Sequence, residues 1–150
     1  MSISGVILAA GQGTRMKSSL PKVLHNVLGT PMIVYAQEAI SHFDNKYVVV
    51  GHQSEKVSST LSETFIPVEQ KEQLGTGHAI STLLESSEFN SDQSQYLVVI
   101  PGDVPLIRKK DIDKLVNDVV ESNAAIGLIS ANVQNPFGYG RIVKNNEEFE

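Results

Sequence analysis

Short apolar runs alternate along the chain with stretches in which apolar residues recur every three or four positions. Residues 4–10, 47–50 and 96–100 are runs rich in Val, Ile and Leu that end at glycine or proline, which is typical of buried strands. A weaker run, 65–68, contains Pro67, and a proline within a strand favours the edge of a sheet. The runs therefore predict three buried strands and one edge strand.

The first predicted helices lie between these strands. Thr30 and Pro31 suit an N-cap and a first helical position, where proline loses no hydrogen bond. Apolar residues then recur at helical spacing as far as Phe43. A shorter helix is predicted over residues 54–61, with Val57 facing inward.

Two more helices are predicted in the second half of the chain. Thr76 is placed to cap a helix that carries Ile80, Leu83 and Leu84 on its inner face. Residues 111–120 carry five apolar side chains on one face, which is the clearest helical pattern in the sequence. Both stretches are amphipathic, so we expect them to pack against the strands.

Two weaker strands are predicted near the end of the chain. Residues 124–133 alternate loosely between apolar and polar, and residues 139–144 are a shorter candidate. Strands and helices thus alternate, and the main strands are continuous apolar runs. This pattern favours one α/β domain over residues 1–150, with a mostly parallel sheet covered by helices on both faces. In such sheets the ligand lies beyond the carboxyl ends of the strands.

Composition narrows the classes of function. The chain of 150 residues is 41% hydrophobic and 19% charged, and it has no cysteine, which excludes disulfides and thiolate catalysis. The apolar stretch 6–10 is too short to span a bilayer, and the N-terminus lacks the pattern of a signal peptide. The formal net charge of −5 argues against nucleic acid as the main partner. We expect a cytoplasmic enzyme that acts neither on nucleic acid nor at a membrane.

The distribution of charge is more informative than the total. No Asp or Glu occurs before Glu38, whereas Arg15, Lys17 and Lys22 all fall within that first part of the chain. One region of an acidic protein is therefore locally cationic. Such a region suits an anionic ligand, for example a triphosphate.

The loop after the first strand has the composition of a phosphate-binding loop. Its two glycines, Gly11 and Gly13, let the backbone bring its N–H groups close to a ligand, while Arg15 and Lys22 offer cationic donors. Met16 stands where a dinucleotide-binding motif or a Walker A loop needs glycine, which excludes both. Taken alone, the Gly-x-Gly pattern is common and favours a plain glycine turn with Arg15 and Lys17 solvated.

Four segments together carry a resemblance to a known family. The run LAAGQGTRM at 8–16, followed by PKVL at 21–24, is similar to the signature of sugar nucleotidyltransferases. Within that group, QKEQLGTGHA at 70–79 resembles the uracil-recognition loop of the bacterial UDP-N-acetylglucosamine pyrophosphorylases. GDVPLI at 102–107 resembles their metal loop, and NPFGYGRI at 135–142 resembles their sugar-side loop. The segments follow the family's order, and their combination is highly specific.

The resemblance implies a Rossmann-like fold of the GT-A type and a defined reaction. UTP and N-acetylglucosamine 1-phosphate would give UDP-N-acetylglucosamine, a precursor for peptidoglycan and the cell wall, and pyrophosphate. Arg15 would bind the pyrophosphate end, Lys22 would neutralise the reacting phosphate, and Asp103 would hold Mg²⁺. An oxygen ligand at the end of a strand suits that ion, because Mg²⁺ keeps water and phosphate oxygens as further ligands.

The resemblance also implies a set of binding residues. Gln70, with Gly75 and Thr76, would read the edge of the uracil, and Gln73 would support that loop. Pro101 stands where the family often carries another residue, so only its backbone is expected to matter. The implied nucleotide- and substrate-binding residues are Leu8, Ala9, Ala10, Gly11, Gly13, Thr14, Gln70, Gln73, Gly75, Thr76, Pro101, Gly102 and Gly140.

Structural interpretations exist beside the functional ones. Asp103 could close a turn before Pro105, and Gly75 and Thr76 could form only a helix N-cap. The four histidines lack the spacing of metal ligands and are interpreted as structural: His25, His42, His52 and His78. 

Two other functions stay open. The chain could be a nucleotidyltransferase for another sugar 1-phosphate or for CTP, or a non-catalytic nucleotide-binding module. Family members continue beyond the position of Glu150, and the bifunctional ones carry a C-terminal acetyltransferase domain. We therefore expect the chain to be the N-terminal part of a longer parent, which could be a homo-oligomer.

Overall fold

The computed structural model of the chain describes residues 2–140, 142–145 and 148–149. The strands are β1 (Ile3–Ala9), β2 (Asn26–Val27), β3 (Thr30–Pro31), β4 (Asn45–Val50), β5 (Ile66–Glu69), β6 (Tyr96–Pro101), β7 (Lys144–Asn145) and β8 (Glu148–Phe149). The helices are α1 (Met32–Ile40), α2 (Ser54–Ser58), α3 (Thr76–Leu84) and α4 (Lys109–Ser122). Within the described ranges, no helix is long and apolar enough to cross a membrane.

The centre of the fold is a four-stranded parallel sheet with the order β5-β4-β1-β6. Strand β5, which contains Pro67, lies at an edge, where the missing N–H of proline costs no ladder bond on the outer side. The chain runs outward from β1 to β5 and then returns to place β6 on the other side of β1. The strand order therefore reverses between β1 and β6, which is where open α/β sheets bind ligands.

Helices cover both faces of the sheet, as the sequence predicts. Alternate residues of a strand point to opposite faces, so Ile7 and Val6 of β1 enter different apolar clusters. The cluster around Ile7 contains residues of α1, α2 and α4, including Ile40 and Ile112. The cluster around Val6 contains Leu83 of α3. The α/β class with a mostly parallel sheet is therefore confirmed.

Two predicted helix starts are wrong. Thr30 and Pro31 do not begin α1 but form β3, which pairs with β2 across a tight turn at Leu28 and Gly29, both with positive φ. The helix begins at Met32, and its N-cap Pro31 has no side chain that can accept a hydrogen bond. A local hairpin has therefore replaced the predicted cap.

The second wrong start is in α3. Thr76 is its first helical residue, and Gly75 occupies the N-cap position without a side-chain cap. Leu84 is 49% exposed, whereas Leu83 is fully buried, so Leu84 does not belong to the inner face as predicted. The spacing of three and four residues from Ile80 puts both leucines near the same helix face, and only the tertiary structure decides which of them is covered.

The predicted strand over residues 124–133 is absent, because that segment has no regular structure. Gly127 approaches α4 so closely that a Cβ there would lie 2.2 Å from Val119 Cγ2. Ile126 and Leu128 are exposed, and the segment is not part of the four-stranded sheet. Its backbone therefore has no neighbouring strand to pair with there. The predicted strand over 139–144 is also wrong over its described residues, of which only Lys144 is in a strand, paired with Phe149; Arg141 lies outside the described residues.

A partly buried polar cluster lies at the end of the sheet opposite to the loops that follow the strands. Asp92 accepts hydrogen bonds from Ser4 of β1, from the Tyr47 hydroxyl of β4 at 3.0 Å and from the Ser94 N–H at 2.8 Å. Burial alone would raise the pKa of Asp92, but these hydrogen bonds outweigh it and lower that pKa below its usual value. Burial and the nearby Asp92 carboxylate raise the pKa of Tyr47 to about 12.

Leu83→Ala tests the assigned face of α3. It should lower the free energy of unfolding by about 2–5 kcal/mol, because it removes a fully buried side chain from the cluster around Val6. The matched control, Leu84→Ala, removes the same atoms from an exposed position and should change that free energy by about 0.5 kcal/mol or less. Urea unfolding followed by circular dichroism measures both, and equal losses would contradict the assigned face.

Candidate functional site

A cavity of about 540 Å³ lies at the carboxyl ends of the strands, beside the place where the strand order reverses. It is formed by the loops that follow β1, β5 and β6 and by the first residues of α3. Its lining consists of Leu8, Ala9, Ala10, Gly11, Gln12, Gly13, Thr14, Lys22, Val23, Gln70, Gln73, Gly75, Thr76, Ala79, Pro101 and Asp103. The tertiary structure thus brings together 13 of the 16 residues that the sequence resemblance selected.

The loop after β1 folds back on itself through a glycine. Gly13 has a φ of 62°, in the left-handed region that favours glycine, and it begins a short 3₁₀ turn over Thr14–Met16. A Cβ on Gly13 would lie 2.7 Å from the Cβ of Lys22. Only a residue without a side chain lets the two ends of the loop approach this closely, so Gly13 helps to set the position of Lys22.

Lys22 and Asp103 meet at the cavity. The Lys22 ammonium forms an ion pair and a hydrogen bond with Asp103 Oδ2, which joins the loop after β1 to the loop after β6. The two side chains are 43% and 28% exposed, so both can reach a ligand in the cavity. The sequence resemblance gave them separate roles, at the reacting phosphate and at a metal ion, whereas the structure places them in direct contact.

Gly102 holds the start of the loop after β6 against β1. Its N–H donates to the Leu8 carbonyl at 2.9 Å, and a Cβ on it would lie 3.1 Å from Val23 Cγ1 and 3.2 Å from the Leu8 oxygen. Gly102 is therefore buried behind the lining of the cavity. Its place is between Asp103 and the sheet, where no larger residue fits without displacing Val23 or Leu8.

Gln70 is the most deeply buried polar side chain of the lining, with 2% of its surface exposed. Its backbone N–H donates to the Val50 carbonyl at 2.7 Å, which continues the pairing of β5 with β4. Its side-chain Nε2 lies 3.3 Å from the Gly75 carbonyl oxygen and 2.8 Å from His78 Nδ1. The amide is therefore held by the N-cap residue of α3 and by a residue in its first turn.

Gln73 and Gln12 connect the two loops on either side of the cavity. Gln73 Nε2 donates to the Gln70 carbonyl at 3.1 Å, and Gln73 Oε1 accepts from Gln12 Nε2 at 3.4 Å. This chain of amides runs from the loop after β5 to the loop after β1. It couples the position of Gln70 to the glycine-rich loop.

The N-terminus of α3 opens into the cavity. Gly75 and Thr76 both line it, and the helix has no side-chain cap. The first N–H groups of a helix have no partner within the helix, so they are available to a polar or anionic ligand. Gly75 has a φ of 106° and a ψ of −179°, a combination that is essentially restricted to glycine.

Three residues selected from the sequence lie outside the cavity lining. Arg15 is an exposed residue of the 3₁₀ turn beside the loop, Gly102 is buried behind the lining, and Gly140 is exposed beyond α4. The segment of Gly140 is the predicted sugar-side loop, and its Arg141 lies outside the described residues. 

Three lining residues were missed, Gln12, Val23 and Ala79. Gln12 stands between the two glycines of the loop, which was a signal that the sequence contained. His78, for which the sequence favours a structural role, contacts the buried Gln70. Its position in the same segment as Gly75 was the available signal.

No group of three or more His, Cys, Asp or Glu side chains within the described ranges could hold a metal ion. Asp103 is the acidic residue of the cavity lining. A metal ion at this place would have one carboxylate from the described part of the chain and would need other ligands, such as water and phosphate oxygens.

The chain resembles known proteins in sequence and in structure. The profile of the family described as MobA-like NTP transferase domain matches residues 5–144. The bifunctional protein GlmU of Streptococcus equi subsp. zooepidemicus is 42% identical over 142 residues, and that of Shouchella clausii is 44% identical over 144. These matches cover 93% and 95% of this chain but 30% and 31% of the relatives, so the chain spans about a third of their length. They confirm the resemblance inferred from the four segments.

Solved structures share the fold at lower identity. A Mycobacterium tuberculosis H37Rv protein in complex with manganese has a TM-score of 0.61 and 19% identity, over 81% of this chain and 61% of its own. A CMP:2-keto-3-deoxy-manno-octonic acid synthetase complexed with CTP has a TM-score of 0.60 and 22% identity, over 83% of this chain and 49% of its own. At these identities the likeness shows the fold alone, and the nucleotidyltransferase-like architecture is confirmed.

Gly75→Ala tests the backbone at the N-terminus of α3. Alanine at this φ and ψ should cost about 1–3 kcal/mol of stability, although no atom lies within 4 Å of the new Cβ. Gly77→Ala is the matched control, since it also has open space but lies within the helix, where alanine is favoured by about 1 kcal/mol. Urea midpoints measure both variants, and a Gly75→Ala protein as stable as the parent would show that the assigned backbone is wrong.

Proposed function

Because the chain belongs to the family of MobA-like NTP transferase domains, we propose that it transfers uridylyl groups. The reaction joins UTP to N-acetylglucosamine 1-phosphate and gives UDP-N-acetylglucosamine and pyrophosphate. The activity would take place in the cytoplasm, and its product would be a precursor for the cell wall. It rests on 42–44% identity to bifunctional GlmU proteins across nearly the whole chain, and their full activity is carried over here only as a proposal.

One observation carries the proposal: a phosphate-type loop, a Lys–Asp pair and a buried amide line the same cavity. The glycine-rich loop and Lys22 lie on one side, and Gln70 with the N-terminus of α3 lies on the other. The first group suits a triphosphate, and the second suits the polar edge of a base. A nucleoside triphosphate is a ligand that requires both halves, because its charge and its base lie at opposite ends.

In this reaction the protein must position the two substrates and neutralise their phosphate charge, and it needs no nucleophile of its own. An oxygen of the sugar phosphate attacks the α-phosphorus of UTP, and a new oxygen–phosphorus bond forms. The bond from the α-phosphorus to the bridging oxygen breaks, and its electron pair leaves with pyrophosphate. Lys22 neutralises the charge that gathers on the α-phosphate, which favours the in-line approach of two anions.

Asp103 fits the ligand chemistry of Mg²⁺. Its partly exposed carboxylate borders the cavity, and Mg²⁺ binds through one or two carboxylates while it keeps water and phosphate oxygens. When bound, the ion would supply positive charge to the phosphates. Without ligand, the ammonium of Lys22 neutralises Asp103. With ligand, Lys22 would pair with a phosphate and Asp103 with the metal ion.

The experiment that tests the proposal is calorimetric titration of the protein with UTP, CTP and ATP, with and without Mg²⁺. We expect binding that is selective for UTP and strengthened by Mg²⁺, together with pyrophosphate release when N-acetylglucosamine 1-phosphate is added. Asp103→Asn keeps the shape of the side chain and should abolish the Mg²⁺ dependence. A folded protein that binds no nucleotide would refute the proposal, and UTP binding without turnover would favour a nucleotide-binding module.

Lys22→Ala should separate chemistry from binding. We expect the turnover number to fall by about 100-fold or more, with a smaller loss of UTP affinity, because the ammonium matters most where charge builds in the transition state. Lys17→Ala is the control, as Lys17 is an exposed cation of the same loop outside the cavity lining. Steady-state pyrophosphate release measures both, and equal effects of the two variants would contradict the role of Lys22.

A second candidate is a cytidylyltransferase, which is favoured by one observation. The structurally similar synthetase was solved with CTP, so the shared fold accommodates a cytosine nucleotide in that protein. Preference for CTP in the titration would support this alternative. 

A further inference from the structure

The amide of Gln70 can be oriented from its neighbours. The Gly75 carbonyl oxygen, 3.3 Å away, can only accept a hydrogen bond, so the atom that faces it must be the amide nitrogen. The opposite orientation would place two oxygen atoms against each other in a nearly closed site, since Gln70 is 2% exposed. The contact with the Gly75 carbonyl therefore identifies the nitrogen end of the amide.

This orientation fixes the protonation of His78. The same Gln70 nitrogen lies 2.8 Å from His78 Nδ1, and an amide nitrogen has hydrogens to donate but no lone pair to accept with. Nδ1 must therefore carry the lone pair and accept. His78 is then a neutral imidazole with its proton on Nε2.

Both hydrogens of the Gln70 amide are thereby used within the protein, one by Gly75 and one by His78. The hydrogen-bonding capacity that Gln70 has left for a ligand is acceptance at Oε1. Gln70 lines the cavity, so a ligand meets an acceptor there. Beside it, the first N–H groups of α3 offer donors.

We propose that His78 is a specificity-determining positioning residue, which holds Gln70 so that the cavity presents an acceptor to the base. This inference rests on the proposed function. The ring nitrogen N3 of uracil carries a hydrogen between two carbonyl oxygens, which matches an acceptor flanked by donors. In cytosine the same ring nitrogen is an acceptor, so it meets Oε1 with two lone pairs opposed. His78 thus selects a base with an imide edge without touching it.

Two substitutions at His78 test the role. His78→Leu removes the acceptor at 2.8 Å and leaves one amide hydrogen unpaired. The amide is then held only by the longer, 3.3 Å contact with the Gly75 carbonyl, so the reversed orientation becomes competitive. His78→Asn places a side-chain oxygen near the position of Nδ1 and should restore the orientation. Calorimetric titration with UTP and with CTP, in the presence of Mg²⁺, gives the ratio of their dissociation constants. Thermal melting shows that each variant is folded.

We expect His78→Leu to lower the preference for UTP over CTP by about tenfold, the factor that corresponds to about 1.4 kcal/mol, and His78→Asn to recover most of it. A wild-type protein that prefers UTP, together with an unchanged preference in folded His78→Leu, would overturn the inference and leave the proposed function intact. If the wild-type protein does not bind UTP, both the proposed function and this specificity role are refuted.

A spectroscopic measurement tests the orientation without nucleotide. In protein labelled with ¹⁵N-histidine, the signal that disappears in His78→Asn belongs to His78. It should show an unprotonated Nδ1 and a protonated Nε2 at neutral pH. A proton on Nδ1 would mean that the amide is reversed, and the inference would then be wrong.

Discussion

Strand β1 hydrogen-bonds to β4 on one side and to β6 on the other, and both pairings are parallel. Parallel pairing brings the carboxyl ends of all three strands to the same edge of the sheet, together with the loops that follow them. The loop after β1 carries Lys22 and the loop after β6 carries Asp103, so this register lets the two side chains meet. These residues are 81 positions apart in the chain, and they form an ion pair because the strands before their loops are neighbours.

Backbone atoms set the geometry of the cavity as much as side chains do. Gly13 lets the loop after β1 approach Lys22 closely, and Gly102 holds the loop after β6 against Leu8. The Gly75 carbonyl accepts a hydrogen bond from the Gln70 amide. In the proposed reaction, these contacts hold the phosphate end and the base end of one nucleotide at fixed separation, which is what in-line attack on the α-phosphorus needs.

The sequence predictions failed where a local pattern was compatible with two structures. Thr30 and Pro31 fit a helix start, but the turn at Leu28 and Gly29 pairs them with β2. Residues 124–133 alternate like a strand, yet a strand forms only where a neighbour can pair its backbone, and Gly127 is packed against α4 instead. Periodicity reports which side chains seek burial, but it does not report whether a partner strand is within reach.

The sequence by itself determined the α/β class, the four main strands and the identity of most residues that line the cavity. It could do so because continuous apolar runs, helical periodicity and glycine-rich loops depend on near neighbours in the chain. The tertiary structure alone decided that Lys22 faces Asp103, that Gly102 lies behind the lining rather than in it, and that His78 holds Gln70. These contacts depend on strand order and on distances between side chains, and neither is encoded in local spacing.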